Sequence, residues 1–267
     1  MSGLSLDEHE IHLWVVDYAD ASDAGLQREY LALLSDEERA QQRRFFFERD
    51  RLRFLVTRAL IRTTLSRYAP LDPADWVFSS NAYGRPAIAN GIGKTAGLSF
   101  NVSHTHSLIV LGVSRHRDIG VDVEDYLRHP APLDLADQYF SREEAETLAS
   151  LPASEQQYRF FEYWTCKEAY IKARGMGLSL PLDQFGFRYH ARRVEIAFDE
   201  TMGDEPAKWE FWQLLVPNHY LVAVCAPVVP DPSTQLVVRS IVPLRREQDI
   251  AAELLRASGG DTPSIAL

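Results

Sequence analysis

Cysteine is nearly absent from this chain. Cys166 and Cys225 are the two in 267 residues, too few for a disulfide framework and not in metal-ligand spacing. A reducing, cytoplasmic setting is therefore the expectation. No apolar run approaches the roughly 20 residues that a membrane-spanning helix needs, and Met1 to Glu10 carries no basic stretch ahead of an apolar one. Neither a membrane span nor a secretory signal is expected. Basic residues are outnumbered, 28 lysines and arginines against 38 acids, and the formal charge of −10 argues against a general nucleic-acid binder. There is no residue-level repeat. What is present is a hydrophobic share of 46% with 25% charged residues, ordinary for a globular protein. The length suits one large domain or two modest ones sharing an interface.

Charge is not evenly spread. Nine arginines fall between Arg39 and Arg67 (39, 43, 44, 49, 51, 53, 58, 62, 67), opposed only by Glu48 and Asp50. Such a stripe is either a solvated helix face or a landing surface for an anionic ligand or acidic partner.

Periodicity predicts a first strand at His12–Asp17 and a short helix at Leu26–Leu34. A capping box at Ser35-Asp36-Glu37-Glu38 then opens a helical stretch reaching Tyr68 with a break in it. Strands are predicted at Trp76–Phe78, Leu98–Val102, Leu108–Val113 and Ile119–Glu124. Helices follow from Leu133 to Tyr139 and, after a second capping box at Ser141 and Glu144, on to about Arg174. Trp209–Val216 and His219–Ala226 read as a hairpin turning at Pro217-Asn218, Gln235–Ile241 as a strand, and Gln248–Arg256 as a helix before a fraying end. The order strand, helices, strands thus occurs twice. It divides the chain into a half at 1–118, a half at 119–228 and an extension at 229–267.

Two runs carry the chemistry. In Gly120-Val121-Asp122-Val123-Glu124, an extended strand points both carboxylates to one face and both valines to the other, which makes half of a divalent-cation site. In Trp164-Thr165-Cys166-Lys167-Glu168-Ala169-Tyr170-Ile171-Lys172, a helix stacks Glu168 and Lys172 one turn apart, with Lys167 beside them. The exit Gly175-Met176-Gly177-Leu178 demands a tight turn. Taken singly, Glu168 and Lys172 are equally an ordinary helix ion pair worth about 0.3–0.5 kcal/mol, and Asp122 and Glu124 the solvated face of an edge strand. The aromatic company of Phe160, Phe161, Trp164 and Tyr170 puts these acids on cleft-lining elements, where carboxylates need cations. Asn101-Val102-Ser103-His104 lacks a nucleophile elbow and further zinc ligands; Ser103 and His104 suit a turn cap or a phosphate contact. Arg85, in Asn81-Ala82-Tyr83-Gly84-Arg85-Pro86, suits a phosphate fork.

Side by side, these runs resemble the 4'-phosphopantetheinyl transferases, in particular their long, monomeric, surfactin-synthetase-activating branch. The resemblance spans roughly residues 35 to 185 and rests most on the last two runs. It implies an α+β fold of two similar halves related by a pseudo-twofold axis, with the active site in the cleft between them. It implies transfer of the phosphopantetheine arm of coenzyme A to a serine of an apo acyl or peptidyl carrier protein, leaving adenosine 3',5'-bisphosphate. Asp122, Glu124 and Glu168 would hold Mg²⁺, with Glu168 a candidate base and Lys167 and Lys172 steadying phosphates. Arg53, Arg85, Ser103 and His104 would grip the nucleotide end. Glu38 and Gln41 stand where the family has lysines, which leaves Arg43 and Arg44 as the nearby cations. The segment Tyr126–Phe140, through Leu133 and Phe140, is expected to contribute an apolar docking surface for the carrier. Two rivals stay open: a carrier-binding or coenzyme-sensing module without transfer, and a magnesium-dependent phosphohydrolase.

Overall fold

The computed structural model describes residues 3–217, 219–230, 233–259 and 265–266. Two capping boxes open helices as expected, with Ser35 and Glu38 at the start of one and Ser141 and Glu144 at the start of another. In chain order the first half holds β1 (Glu10–Asp17), α1 (Ala24–Leu33), α2 (Asp36–Arg44), α3 (Glu48–Leu65), β2 (Phe78–Ser80), β3 (Pro86–Ile88), α4 (Gly91–Thr95), β4 (Leu98–His104) and β5 (Leu108–Arg115). The break in the long helical stretch is Phe45–Phe47. The predicted strand at Trp76 starts two residues later, because Pro73–Asp75 forms a 3-10 turn and the Trp76 indole is buried, donating to Ser66 Oγ at 2.8 Å.

The second half holds β6 (Gly120–Asp125), α5 (Ala136–Tyr139), α6 (Arg142–Ser150), α7 (Ala153–Arg174), β7 (Phe185–His190), β8 (Arg193–Phe198), β9 (Trp209–Val216) and β10 (Tyr220–Pro227). Asn218, the predicted turn of the last hairpin, lies outside the described residues, as does most of the predicted fraying end. Three strands of each half are hydrogen-bonded in the same order, β1-β5-β4 in one sheet and β6-β10-β9 in the other. A long helix packs on each sheet, α3 on the first and α7 on the second. The duplicated element order is thus a duplicated architecture.

Residues beyond 228 do not form an appendage. β11 (Gln235–Val242) lies parallel beside β1, β12 (Arg246–Asp249) pairs with β11, and β13 (Glu253–Ala257) pairs with β9. A two-residue β14 (Ile265–Ala266) pairs with β11. The extension therefore adds strands to both sheets. The helix expected at Gln248–Arg256 is β12, a link and β13. Its Ala-, Glu- and Leu-rich composition favours helix, but the apolar side chains at Ile250, Ala252 and Leu254 recur every second residue, and they seal the core between the sheets.

That inter-sheet core decides where the site sits. Leu13, Val15 and Val110 of the first sheet meet Val121, Val123, Leu214 and Val222 of the second. Val121 and Val123 are thereby fixed inward, so Asp122 and Glu124 must face α7. Gly120 lets α7 come close: a Cβ there would lie 1.9 Å from the Ala169 carbonyl oxygen and 2.4 Å from the Ala173 nitrogen. At the far end of α7, Gly175 takes the left-handed conformation (φ 64°) that ends the helix.

Candidate active site

Lys172 is the centre of the assembled cluster. In the last turn of α7, its Nζ donates to Asp122 Oδ1 at 2.6 Å, Ser103 Oγ at 2.9 Å and the Val121 carbonyl at 3.1 Å. The Ser103 hydroxyl in turn donates to the same Asp122 oxygen at 2.8 Å. Strands β4 and β6 from opposite halves are thus joined through one ammonium group. They are held in register by the Asn101 side chain, whose Oδ1 accepts the Val121 N–H at 2.9 Å.

The other Asp122 oxygen, Oδ2, is buried with no hydrogen-bond partner. Around it the field is negative. Burial, then repulsion from Asp122, with a contribution from Glu168, pushes the Glu124 carboxyl up to about 8. Burial and Asp122 likewise raise Glu168, while Lys172 opposes both shifts. Among the described residues, no three His, Cys, Asp or Glu side chains form a ready-made metal site. An orphaned buried carboxylate oxygen flanked by two reluctant acids nonetheless fits a hard divalent cation, which takes oxygen ligands and relieves that repulsion. Asp122, Glu124 and Glu168 are the residues that would hold it.

Glu124 therefore predicts a pH dependence. Its folded-state value lies above the ordinary 4.5, so the folded protein binds that proton more tightly than the unfolded chain, and this group's contribution to stability is lost as pH rises from about 4.5 through about 8. Cation binding must displace the same proton. The rise in Tm on adding Mg²⁺ is expected to grow between about pH 6 and pH 8.5. In Glu124→Gln it should be small and flat. Equal Mg²⁺ responses in the two proteins across that range would remove Glu124 from the cation site.

Two clefts border Lys172 and share Pro86 and Val102 in their walls. One, of about 520 Å³, runs along α3 between Arg53, Thr57, Arg58 and Phe45 on one wall and Ser103, His104 and Asp122 on the other. The second, of about 340 Å³, is bounded by Tyr83, Arg85, Asn101, Glu168 and Gly175. A groove of about 610 Å³ near Ile196 and Trp209 carries none of the residues gathered around Lys172. In the first cleft, burial and the nearby Arg53 guanidinium lower the His104 imidazole, so His104 favours its neutral form. An anion placed between them would reverse that preference.

Among the expected site residues, Asp122, Glu124, Glu168, Lys172, Ser103, His104 and Arg53 come together. Lys167 does not. It is fully buried on the opposite side of α7, paired with Glu144 at 2.8 Å and donating to the Leu182 carbonyl at 2.8 Å, so the phosphate role expected for it is corrected to a structural one. Arg85 borders the second cleft, but its guanidinium donates to the Ala173 carbonyl at 2.8 Å and to Asp118 at 2.9 Å, and Asn81 Nδ2 donates to the Gly175 carbonyl at 2.7 Å. This loop latches the first half onto the end of α7, and the free phosphate fork expected of Arg85 is committed to that latch. Phe140 is buried against Phe160 and Tyr163, so the docking surface expected of it is also corrected, whereas Leu133 is partly exposed.

Thr57, not singled out from the sequence, also lines the first cleft, as does Arg58, expected only as one arginine of the basic stripe. Their signal was present: Asp50, Arg53, Thr57 and Ile61 follow one another at helical spacing and all line the cleft. Glu38, set where the resemblance expected a lysine, is instead buried and accepts from Arg62 at 2.8 Å. Arg43 and Arg44 are solvent-exposed.

A model of the 4'-phosphopantetheinyl transferase superfamily matches residues 118–225, and one of the 4'-phosphopantetheinyl transferase N-terminal region matches residues 24–116. The 4'-phosphopantetheinyl transferase HetI of Nostoc sp. (strain PCC 7120 / SAG 25.82 / UTEX 2576) is 37% identical over 84% of this chain and 90% of its own length. This chain belongs to the 4'-phosphopantetheinyl transferases. The transferase is also similar to 4'-phosphopantetheinyl transferase Sfp of Bacillus subtilis (strain 168), at 32% identity over 78% of this chain and 89% of the relative. The Bacillus subtilis transferase ffp is 33% identical over 79% and 91%. The boundary between the two family matches falls just before β6, where the second sheet begins. Among the described residues, no helix of the transferase is long and apolar enough to cross a membrane.

Proposed function

We propose that this transferase moves the 4'-phosphopantetheine arm of coenzyme A onto a serine hydroxyl of an apo acyl or peptidyl carrier protein and releases adenosine 3',5'-bisphosphate. The observation that carries the reading is the Lys172–Asp122–Ser103 cluster, which lies beside Glu124 and Glu168 and opens into a cleft walled by Arg53 and His104. In the reaction, the serine oxygen forms a bond to the phosphorus that bears pantetheine, the bridging P–O bond to the nucleotide breaks, and the serine proton leaves to a base. Glu168, whose raised carboxyl is a better proton acceptor than an ordinary glutamate, takes that proton directly or through a water. Lys172 neutralises charge gathering on the leaving phosphate. Mg²⁺, when bound, would supply Lewis-acid neutralisation of the diphosphate. Arg53 and His104 hold the 3'-phosphate. All of these groups come from one chain, so a monomer suffices.

Incubating the transferase with coenzyme A, Mg²⁺ and an apo carrier protein tests this. The expected result is a gain of one phosphopantetheine arm in the intact mass of the carrier. Binding without modification would favour a sensing module, and coenzyme A breakdown with no carrier present would favour a phosphohydrolase. The nucleotide assignment has its own test. Arg53→Ala is expected to raise KM for coenzyme A by about tenfold or more, the loss of one charge-assisted contact. KM for 3'-dephospho-coenzyme A should barely change, and an equal rise for both donors would take Arg53 off the 3'-phosphate.

A further inference from the structure

The end of α7 that carries Lys172 is held on two faces. On the Lys172 side it meets Asp122 and Ser103, and Asn81 and Arg85 grip the carbonyls of Gly175 and Ala173. A separate cluster grips the other side. Tyr170 and Arg174 stand two residues before and two after Lys172, so each projects about 200° around the helix from it. Both reach Asp204, in the loop between β8 and β9. Asp204 Oδ2 accepts from the Tyr170 hydroxyl at 2.7 Å, from the Trp209 indole N–H at 3.0 Å and from the Arg174 guanidinium. Arg174 Nη1 also donates to the Tyr170 hydroxyl at 2.8 Å, and Asp204 Oδ1 accepts the Glu205 N–H at 2.8 Å. The Asp204 side chain is 8% exposed, and Tyr170 is fully buried against Phe185, Phe198 and Trp209. Gly203, with a left-handed φ of 61°, turns the loop immediately before Asp204. Tyr170, Arg174, Asp204 and Trp209 line neither cleft beside Lys172, so their part in the reaction is indirect.

We propose that Asp204 is a positioning residue for arm transfer: through Tyr170 and Arg174 it fixes the rotation and depth of the helix end that presents Glu168 and Lys172. This rests on the transfer reading above. A helix end is the part most prone to fray, because its last carbonyls lack intrahelical donors. The three side-chain donors to Asp204 come from α7 and from β9, and β9 belongs to the same sheet as β6, which carries Asp122. One carboxylate thereby registers Lys172 against Asp122 from behind. Arg174 extends the hold: its cation sits where the helix dipole favours positive charge. Its Nη2 reaches Met176 Sδ at 3.7 Å, between the two glycines, Gly175 and Gly177, that border the second cleft. Displacing a reacting group by about 1 Å costs on the order of 100-fold in rate, so a contact on the back of α7 governs chemistry at its front.

Steady-state transfer to an apo carrier, run well below Tm, tests this. Asp204→Ala is expected to lower kcat by about 10- to 100-fold, with KM for coenzyme A and for the carrier within about threefold of wild type. Asp204→Asn keeps an acceptor for Tyr170 and Trp209 and should recover most of that loss. Arg174→Met, at a partly exposed position, should lose kcat as well. The double variant Asp204→Ala/Arg174→Met should be no slower than the slower single, because the two residues act as one unit. Amide hydrogen exchange at residues 172–177 should quicken in Asp204→Ala while β6 stays protected. Exchange that quickens equally in α7 and β6, or a rise in both KM values at unchanged kcat, marks a merely structural contact and overturns the proposal. Wild-type kcat in Asp204→Ala, or in Arg174→Met should the first variant not fold, overturns it too and leaves the enzyme assignment standing. A wild type that modifies no apo carrier overturns the transfer reading and this proposal with it.

Discussion

Asp122→Asn is expected to lower kcat for arm transfer on the order of 10³-fold, the scale seen when one preorganised charge at a phosphoryl-transfer site is removed. Asparagine keeps the shape and one oxygen acceptor, so Lys172 retains Ser103 and the Val121 carbonyl as partners. What disappears is the charge that fixes Lys172 at 2.6 Å and the unpartnered second oxygen left for a cation. The variant also removes the repulsion that raises Glu124 and Glu168, so both acids should titrate closer to the ordinary range. Stability without metal should change little, because one ion pair is weakened while two repulsions are relieved. Rate, Tm and Mg²⁺ response measured together separate the possibilities. A fall in rate that merely tracks a fall in Tm, or a near wild-type kcat, would remove Asp122 from the reaction centre.

The strand that carries Asp122 was legible because its pattern has period two and its surroundings obey it. Valines at 121 and 123 could only face a core, and the acids could only face the other way. Glu168 and Lys172 were legible for the equivalent helical reason. Their convergence with Asp122 was not, since it depends on Gly120 admitting the backbone of α7, a contact between segments almost fifty residues apart. The Arg53 and His104 wall was reached through family resemblance, and the spacing of the cleft residues on α3 then accounts for Arg58 and Thr57. The latch at Arg85 was hidden because an arginine in a turn looks the same from sequence whether it meets a phosphate or a helix carbonyl. The strands at 246–257 were missed because helix-favouring composition outweighed an alternation only three residues deep. Tertiary pairing with β11 and β9 settled the matter.

Lys167 gives the most direct contrast between a motif and its structural role. In the helix, each residue advances by about 100°, so Lys167 points well away from the face shared by Glu168 and Lys172. It joins the side of α7 that carries Tyr163 and Tyr170. There its ammonium is fully enclosed with the equally enclosed Glu144, whose oxygens also accept from Ser141 N at 2.8 Å and Phe187 N at 2.9 Å. The pair therefore ties α7 to α6 and to the strand β7. Lys167→Ala would leave a buried carboxylate without its counter-charge, a loss of about 3–5 kcal/mol, or a Tm lower by on the order of 10 °C for a protein of this size. Coenzyme A affinity of the folded fraction should be unchanged. The double variant Lys167→Met/Glu144→Gln should recover most of the lost Tm, because the unpaired charge is then gone. Thermal melts of the two variants, with calorimetric titration by coenzyme A below the transition, decide between the roles: a weakened coenzyme affinity at unaltered Tm would return Lys167 to the phosphates.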